Sequence, residues 1–184
     1  MKLVFQKLSD LDSAKQKTLF KRFETQEPDY IESFISNNLE IYEKNHLLHT
    51  KVLIDEESNV LVGFFCLTMT TLGLFSNYKN EHSVYKDGTF SIYPAVDIQY
   101  FAINKEYQKR GIGRTLMNLA FKDIIVTVHQ YVGASIVTLT SLDSALGFYK
   151  KLEFEEKGFG GTKNKHVMLL TIDEIETILE KSNN

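Results

Sequence analysis

The stretch from Ala95 to Gln130 constrains the fold more than any other part of the chain. An apolar run, Ala95 to Ile103, gives way to a short polar turn. Gly111 and Gly113 then open a long segment, Gly111 to Gln130, with Leu116, Leu119, Ala120, Ile124 and Val128 on one helical stripe. A second apolar run, Ile136 to Thr140, follows. Strand, turn, helix, strand is a β-α-β unit, whose two strands must run parallel. All-helical and all-β folds are thereby excluded. The glycines have a chemical consequence as well. They let backbone N–H groups come close to an anion, and the helix N-terminus adds partial positive charge. Arg110 and Arg114 supply cations at the mouth of the same turn. A nucleotide P-loop needs Gly-Lys-Ser/Thr, which is missing. A dinucleotide turn wants a third glycine where Leu116 stands. A plain strand-to-helix turn remains the bland alternative.

Length and composition bound the rest. The chain has 184 residues, 43% hydrophobic and 24% charged, which suits one domain spanning residues 1–184 with a core of its own. The net charge is −3 and the isoelectric point about 6.0, which argues against a broad basic face for bare nucleic acid. With 1 Cys, no intramolecular disulfide and no thiolate-rich metal site can form. The start of the chain is too poor in apolar residues for a signal peptide. The longest apolar run, Val60 to Leu67, is far short of the roughly 20 residues a membrane helix needs. The expectation is a soluble cytoplasmic protein with no membrane partner.

Elements can be placed on either side of the β-α-β unit. Lys2 to Lys7 alternates like a strand, and Ser9 is a cap for a helix through Phe23. Pro28 suits the first turn of a second helix carrying Ile31, Phe34, Ile35, Leu39 and Tyr42. Lys51–Ile54 and Val60–Met69 read as a hairpin across Glu56 to Asn59. Thr70 to Tyr93 is irregular, with Asp87-Gly88 marking a loop. Ser141 to Leu152 is a helix, and Phe154–Phe159 pairs with His166–Thr171 across Gly160-Gly161. Thr171 and Glu174 form a capping box for a last helix. The class is mixed α/β.

The complete string Gln108-Lys109-Arg110-Gly111-Ile112-Gly113 resembles the Q/R-x-x-G-x-G/A signature of the GNAT acyl-CoA N-acyltransferases. Ala145 to Phe154, with Phe148, Tyr149 and Lys151, looks like that family's A-x-x-F/L-Y-x-K-x-G-F segment. Glu153 stands where the family usually has glycine, and Leu142 where it often has asparagine. The resemblance implies a GNAT-like fold: a mixed, mostly antiparallel central sheet with a β-α-β acyl-CoA-binding core flanked by helices. It implies acetyl-CoA as acyl donor and direct transfer from thioester to amine, with no metal. The main chain of Gln108, Lys109, Arg110, Gly111, Ile112, Gly113 and Arg114 would cradle the pyrophosphate. The main chain of Phe101, Ala102 and Ile103 would pair with the pantetheine arm and polarise the thioester carbonyl. Tyr149 matches the tyrosine that protonates the leaving thiolate, although its helical spacing with Leu142, Ala145 and Leu146 fits simple packing too. Asp97 falls where some members carry a general base, and a solvated strand-end carboxylate is the rival reading.

Cys66, inside an apolar run, reads as a buried structural thiol rather than an acyl-enzyme nucleophile. His46, His49, His82, His129 and His166 lack metal-ligand spacing. The acceptor is expected to be set by residues 26–45 and 72–94. Phe23 to Phe34, Leu61 to Thr68 and Tyr93 to Val96 are similar to the GNAT toxins of toxin–antitoxin pairs, which acetylate aminoacyl-tRNA. The net charge ranks tRNA below an amine on a small molecule, peptide or protein. A non-catalytic acyl-CoA-binding regulator is a third reading, against which the retained Tyr149 speaks. A homodimer is left open.

Overall fold

The computed structural model describes residues 1–26, 30–82, 84–85, 92–157 and 164–182. Among the described residues seven strands form one sheet: β1 (Leu3–Lys7), β2 (His49–Asp55), β3 (Val60–Gly73), β4 (Ile92–Ile103), β5 (Ile136–Leu142), β6 (Glu155–Glu156) and β7 (Lys165–Thr171). Their order across the sheet is β1-β2-β3-β4-β5-β7-β6. The pairs β1–β2, β2–β3, β5–β7 and β6–β7 are antiparallel. β4 and β5 are parallel, with Ala95 opposite Ile136, Val96 opposite Val137 and Asp97 opposite Thr138. The helices are α1 (Ser13–Phe20), α2 (Tyr30–Asn37), α3 (Leu39–Lys44), α4 (Ser76–Glu81), α5 (Ile112–Gln130), α6 (Asp143–Lys150) and α7 (Ile172–Ser182). The parallel β4-α5-β5 unit and the mostly antiparallel mixed sheet thus agree with the sequence reading.

Two compact units divide the chain. The first comprises Met1–Thr68 and Gln99–Met117. Its core gathers Leu8, Leu19, Phe23, Phe34, Ile35, Leu39, Val52, Leu61, Phe64 and Ala102. The α1 cap is Asp12, whose carboxylate accepts from the Lys15 amide at 2.8 Å, and not Ser9. Ser9 instead lies in a 3-10 turn, Leu8–Asp10, which delays the helix by one turn. The single second helix read from the sequence is two, α2 and α3, broken at Asn38 (φ −121, ψ −31). Pro28 lies outside the described residues, as do Asp87-Gly88 and Gly160-Gly161.

The second unit comprises Met69–Ile98 and Asn118–Asn184. Leu74, Tyr93, Ala95, Ile136 and Leu169 pack together in it, and Phe121 meets Phe154 at 5.9 Å. α4 lies in the stretch read as irregular, where polar residues leave no apolar stripe to see. The capping box on α7 is present. The Thr171 amide donates to Glu174 at 2.8 Å, and the Glu174 amide donates to the Thr171 hydroxyl at 3.2 Å. No helix among the described residues is long and apolar enough to cross a membrane.

Candidate active site

The first unit holds the glycine turn and the strand end before it. β4 ends at Ile103, and Asn104 takes over its hydrogen bonding. Asn104 is buried, and its amide donates to the Val62 carbonyl at 2.8 Å. Its side-chain nitrogen donates to the carbonyls of Arg22 and Leu61, both at 3.2 Å. Its side-chain oxygen accepts from the Glu106 amide at 3.2 Å, which starts a 3-10 turn over Lys105–Tyr107. The Tyr107 hydroxyl donates to Asp55 at 3.4 Å. Asp55 also accepts from the amides of Lys2 and Glu57 and from the Ser58 hydroxyl. The Ser58 hydroxyl, then those amides, hold the Asp55 carboxyl below its ordinary range despite burial. The Gln108 side chain folds back to donate to the Ile103 carbonyl at 2.9 Å. Every one of these contacts braces the turn from behind.

The face of the turn is different. Lys109 (φ 59) and Gly111 (φ 80) both lie in the left-handed region. A Cβ on Gly111 would meet nothing within 4 Å. Glycine is required there for conformation, not for space. The first intrahelical hydrogen bond of α5 runs from the Thr115 amide to the Gly111 carbonyl at 3.2 Å. The amides of Gly111, Ile112 and Gly113 precede it and have no acceptor inside the helix. Lys109, Arg110, Gly111 and Arg114 are exposed, with the Arg110 guanidinium over the Tyr107 ring at 5.7 Å. Left-handed backbone, amides with no acceptor inside the helix, a helix N-terminus and cations are the ingredients from which anion sites are built. Phe101 is half-buried and Ala102 and Ile103 are buried directly ahead of it.

Gly63 shows how close the packing behind the strand is. A Cβ there would lie 2.6 Å from Ile103 Cδ1, 2.9 Å from the Ala102 carbonyl oxygen and 3.0 Å from Leu116 Cδ2. Only glycine lets β3 pass this near. An isolated glycine inside an apolar strand was the signal for it. Asn104, Asp55 and Tyr107 were missed because their role depends on tertiary contacts with residues 43 to 82 positions away.

The second unit holds the two candidate proton-handling residues. Asp97 is half-buried on β4, and no ion pair or side-chain hydrogen bond to it occurs among the described residues. Burial alone pushes its carboxyl up to about 6. Tyr149, near the end of α6, is buried, with its ring edge-on to Phe148 at 5.1 Å and to Phe154 at 5.9 Å. Burial raises its phenol above the ordinary value, so it stays protonated at neutral pH. Leu142 ends β5 and is exposed, so it does not share the buried stripe expected for it. Glu153, in the position of the family glycine, has φ 69. The left-handed turn that glycine would make is kept without glycine.

Cys66 is fully buried and 3.3 Å from the Thr50 hydroxyl, and burial pushes its thiol up, which suits structure and not nucleophilic attack. His82 touches Glu174 and Glu155, and His166 touches Glu156 and Asp143. No group of three or more His, Cys, Asp or Glu among the described residues is placed to hold a metal.

Known proteins sharpen this picture. No curated protein matches the chain in sequence. A solved bacterial toxin is 24% identical, covering 97% of this chain and 96% of its own, with a TM-score of 0.80. AtaT complexed with acetyl-methionyl-tRNAfMet is 19% identical over 96% of this chain and 99% of its own, at 0.78. A Tyr-to-Phe mutant of the AtaT toxin, bound to acetyl-CoA and the C-terminus of the antitoxin AtaR, is 18% identical over 98% and 99%, at 0.73. These likenesses concern the fold. The model of the acetyltransferase (GNAT) domain matches residues 49–156, a span that holds the glycine turn, Asp97 and Tyr149. With that match over more than half its length, the chain belongs to the GNAT acetyltransferase family.

Proposed function

We propose that this acetyltransferase takes its acetyl group from acetyl-CoA and delivers it to the α-amino group of an aminoacyl-tRNA. The observation that carries the acceptor is the reach of the likeness. The family model spans 49–156, whereas the resemblance to AtaT complexed with acetyl-methionyl-tRNAfMet covers 96% of the chain and so reaches well beyond that span. The electrostatic objection also weakens once the charge is located. The first unit has as many basic as acidic residues, so the whole net charge of −3 belongs to the second. An uncharged unit with Lys109, Arg110 and Arg114 exposed does not repel a polyanion at long range.

In this reading the main chain of Gln108 to Arg114 holds the pyrophosphate, and Phe101 to Ile103 align the pantetheine arm. An N–H of that strand stabilises charge on the thioester oxygen. Asp97 takes the proton of the substrate ammonium, directly or through water, for which a carboxyl near 6 is well matched. The amine nitrogen forms its bond to the carbonyl carbon as the carbon–sulfur bond breaks, and the second proton that nitrogen sheds passes through water to the departing thiolate. Tyr149 donates to the departing sulfur. A thiol has an ordinary pKa near 8.5, well below that of this phenol. Tyr149 therefore works chiefly as a hydrogen-bond donor. The experiment is transfer of labelled acetyl from acetyl-CoA to a bulk charged-tRNA pool and to the same pool deacylated. Label on charged tRNA alone is expected. Label on small or peptidyl amines with none on tRNA would return the acceptor to the broader class.

A further inference from the structure

An aromatic group on α2 and α3 in the first unit is used by neither the turn nor the proton-handling residues. Phe34 stacks on Tyr100 of β4, with centroids 3.7 Å apart and an interplanar angle of 10°. Tyr42 meets Phe34 edge-on at 5.5 Å. Tyr30 lies 6.0 Å and 28° from Tyr100, and their hydroxyl oxygens are 3.2 Å apart. These rings, with Ser33 and Asn38, line a groove of about 480 Å³, a size typical of small-ligand sites.

The lining selects among guests. Tyr30 is 66% exposed, yet its hydroxyl contact and its stacking keep the ring in place. A held, exposed ring is a stacking platform. Among the described residues no carboxylate lines the groove, so a cation would find ring faces without a counter-charge from them. Glu32, on the same helix, is engaged by the amide and hydroxyl of Thr25. An aliphatic guest would leave polar groups idle. The Asn38 side chain caps nothing, and neither it nor the Tyr42 hydroxyl makes a hydrogen bond among the described residues. Flat apolar walls with donors and acceptors at one edge fit a planar ring that has a polar edge. Tyr100 also directly precedes Phe101 to Ile103, the strand assigned to the thioester arm.

We propose that this groove binds a planar aromatic ring carried by the acceptor, stacked against the Tyr30–Tyr100 pair with its polar edge toward Asn38 and Tyr42. The proposal rests on the aminoacyl-tRNA reading above. On such an acceptor the ring has two sources: the base of the terminal adenosine, or an aromatic aminoacyl side chain. Calorimetry on the protein saturated with coenzyme A, titrated with adenosine and separately with phenylalaninamide, tells them apart. Binding of adenosine alone assigns the base, and binding of phenylalaninamide alone assigns the side chain. Tyr30→Ala is expected to weaken the bound probe about 10- to 100-fold, as loss of one stacking partner does, with acetyl-CoA affinity unchanged. Tyr42→Phe keeps the ring and should weaken adenosine more than phenylalaninamide. Failure of both probes to bind a protein that still binds acetyl-CoA would overturn the proposal, and so would equal affinities for wild type and Tyr30→Ala. Acetyl transfer to charged tRNA, measured alongside, judges the acceptor reading separately. Transfer undiminished by Tyr30→Ala removes the groove and keeps that acceptor.

Discussion

The two units handle different halves of the chemistry. The first balances its charges and devotes a buried polar network, built on Asp55 and Asn104, to the shape of one turn. Its strongly braced feature is the turn proposed to hold an anion. The second is acidic and contains both candidate site residues whose acidity burial has shifted, Asp97 and Tyr149. Binding and proton handling are thus assigned to separate pieces of chain. Changes in the first unit should register as affinity, and changes in the second as rate and pH dependence.

The largest test of that division is Tyr149→Phe. Losing the hydroxyl should lower kcat by about 10²–10⁴ with acetyl-CoA affinity intact. A variant with full kcat would leave Tyr149 a packing residue. Gly113→Asp is the counterpart in the first unit. Its carboxylate sits well in the first turn of a helix, so the fold should persist, while it occupies the amides proposed to hold phosphate. We expect acetyl-CoA to bind about 10- to 100-fold more weakly by calorimetry, the equivalent of one or two lost charged hydrogen bonds. If affinity held and kcat fell instead, the division would be broken. Gly63→Ala tests the packing beneath the strand. A Cβ 2.9 Å from the Ala102 carbonyl oxygen must push backbone aside. The expected loss is about 1–3 kcal/mol in urea unfolding.

Asp97→Asn sharpens the comparison through pH. The native carboxyl, near 6, is above the unfolded value of about 3.9. Ionising Asp97 therefore costs the native state stability. That cost is absent below about pH 4, grows as pH rises through the window to about 6, and is constant above it. The asparagine variant should match wild type at pH 4 and exceed it by about 2–3 kcal/mol at pH 7. If Asp97 is also the base, the acidic limb of kcat/KM near pH 6 should vanish. Equal stabilities across the range would refute the buried, uncompensated carboxylate. Glu153→Gly has the smallest effect. It relieves a left-handed residue whose ion pair with Lys181, at 4.0 Å, is exposed and weak. A gain of up to about 1 kcal/mol should appear as a higher urea midpoint.

Local rules made the β4-turn-α5 segment and the Thr171–Glu174 box legible, because strand pattern, glycine pair and cap chemistry all lie within a few neighbours. They failed at α1, where Ser9 and Asp12 are both good caps and the 3-10 turn decides between them. They failed at Asn38, where one residue leaves helical geometry within a continuous apolar stripe. The glycine expected before Phe154 was a conformational requirement, and Glu153 meets it at an energetic cost that no sequence pattern reveals. The brace behind the turn and the aromatic groove were out of reach for a simpler reason. Asp55 meets Tyr107, and Phe34 meets Tyr100, only after β2, β3 and β4 have come together.

The bracing of the turn by Asn104, Tyr107 and Gln108 has a kinetic side. A cradle already in its bound shape leaves little to order on ligand arrival. Cofactor association should then be a single diffusional step, slowed by salt as the exposed cations are screened and showing no slow isomerisation at high ligand concentration. Loosening the brace at a distance, for instance at Ser58 in the hairpin, would leave the phosphate contacts chemically whole and yet convert capture into a two-step process.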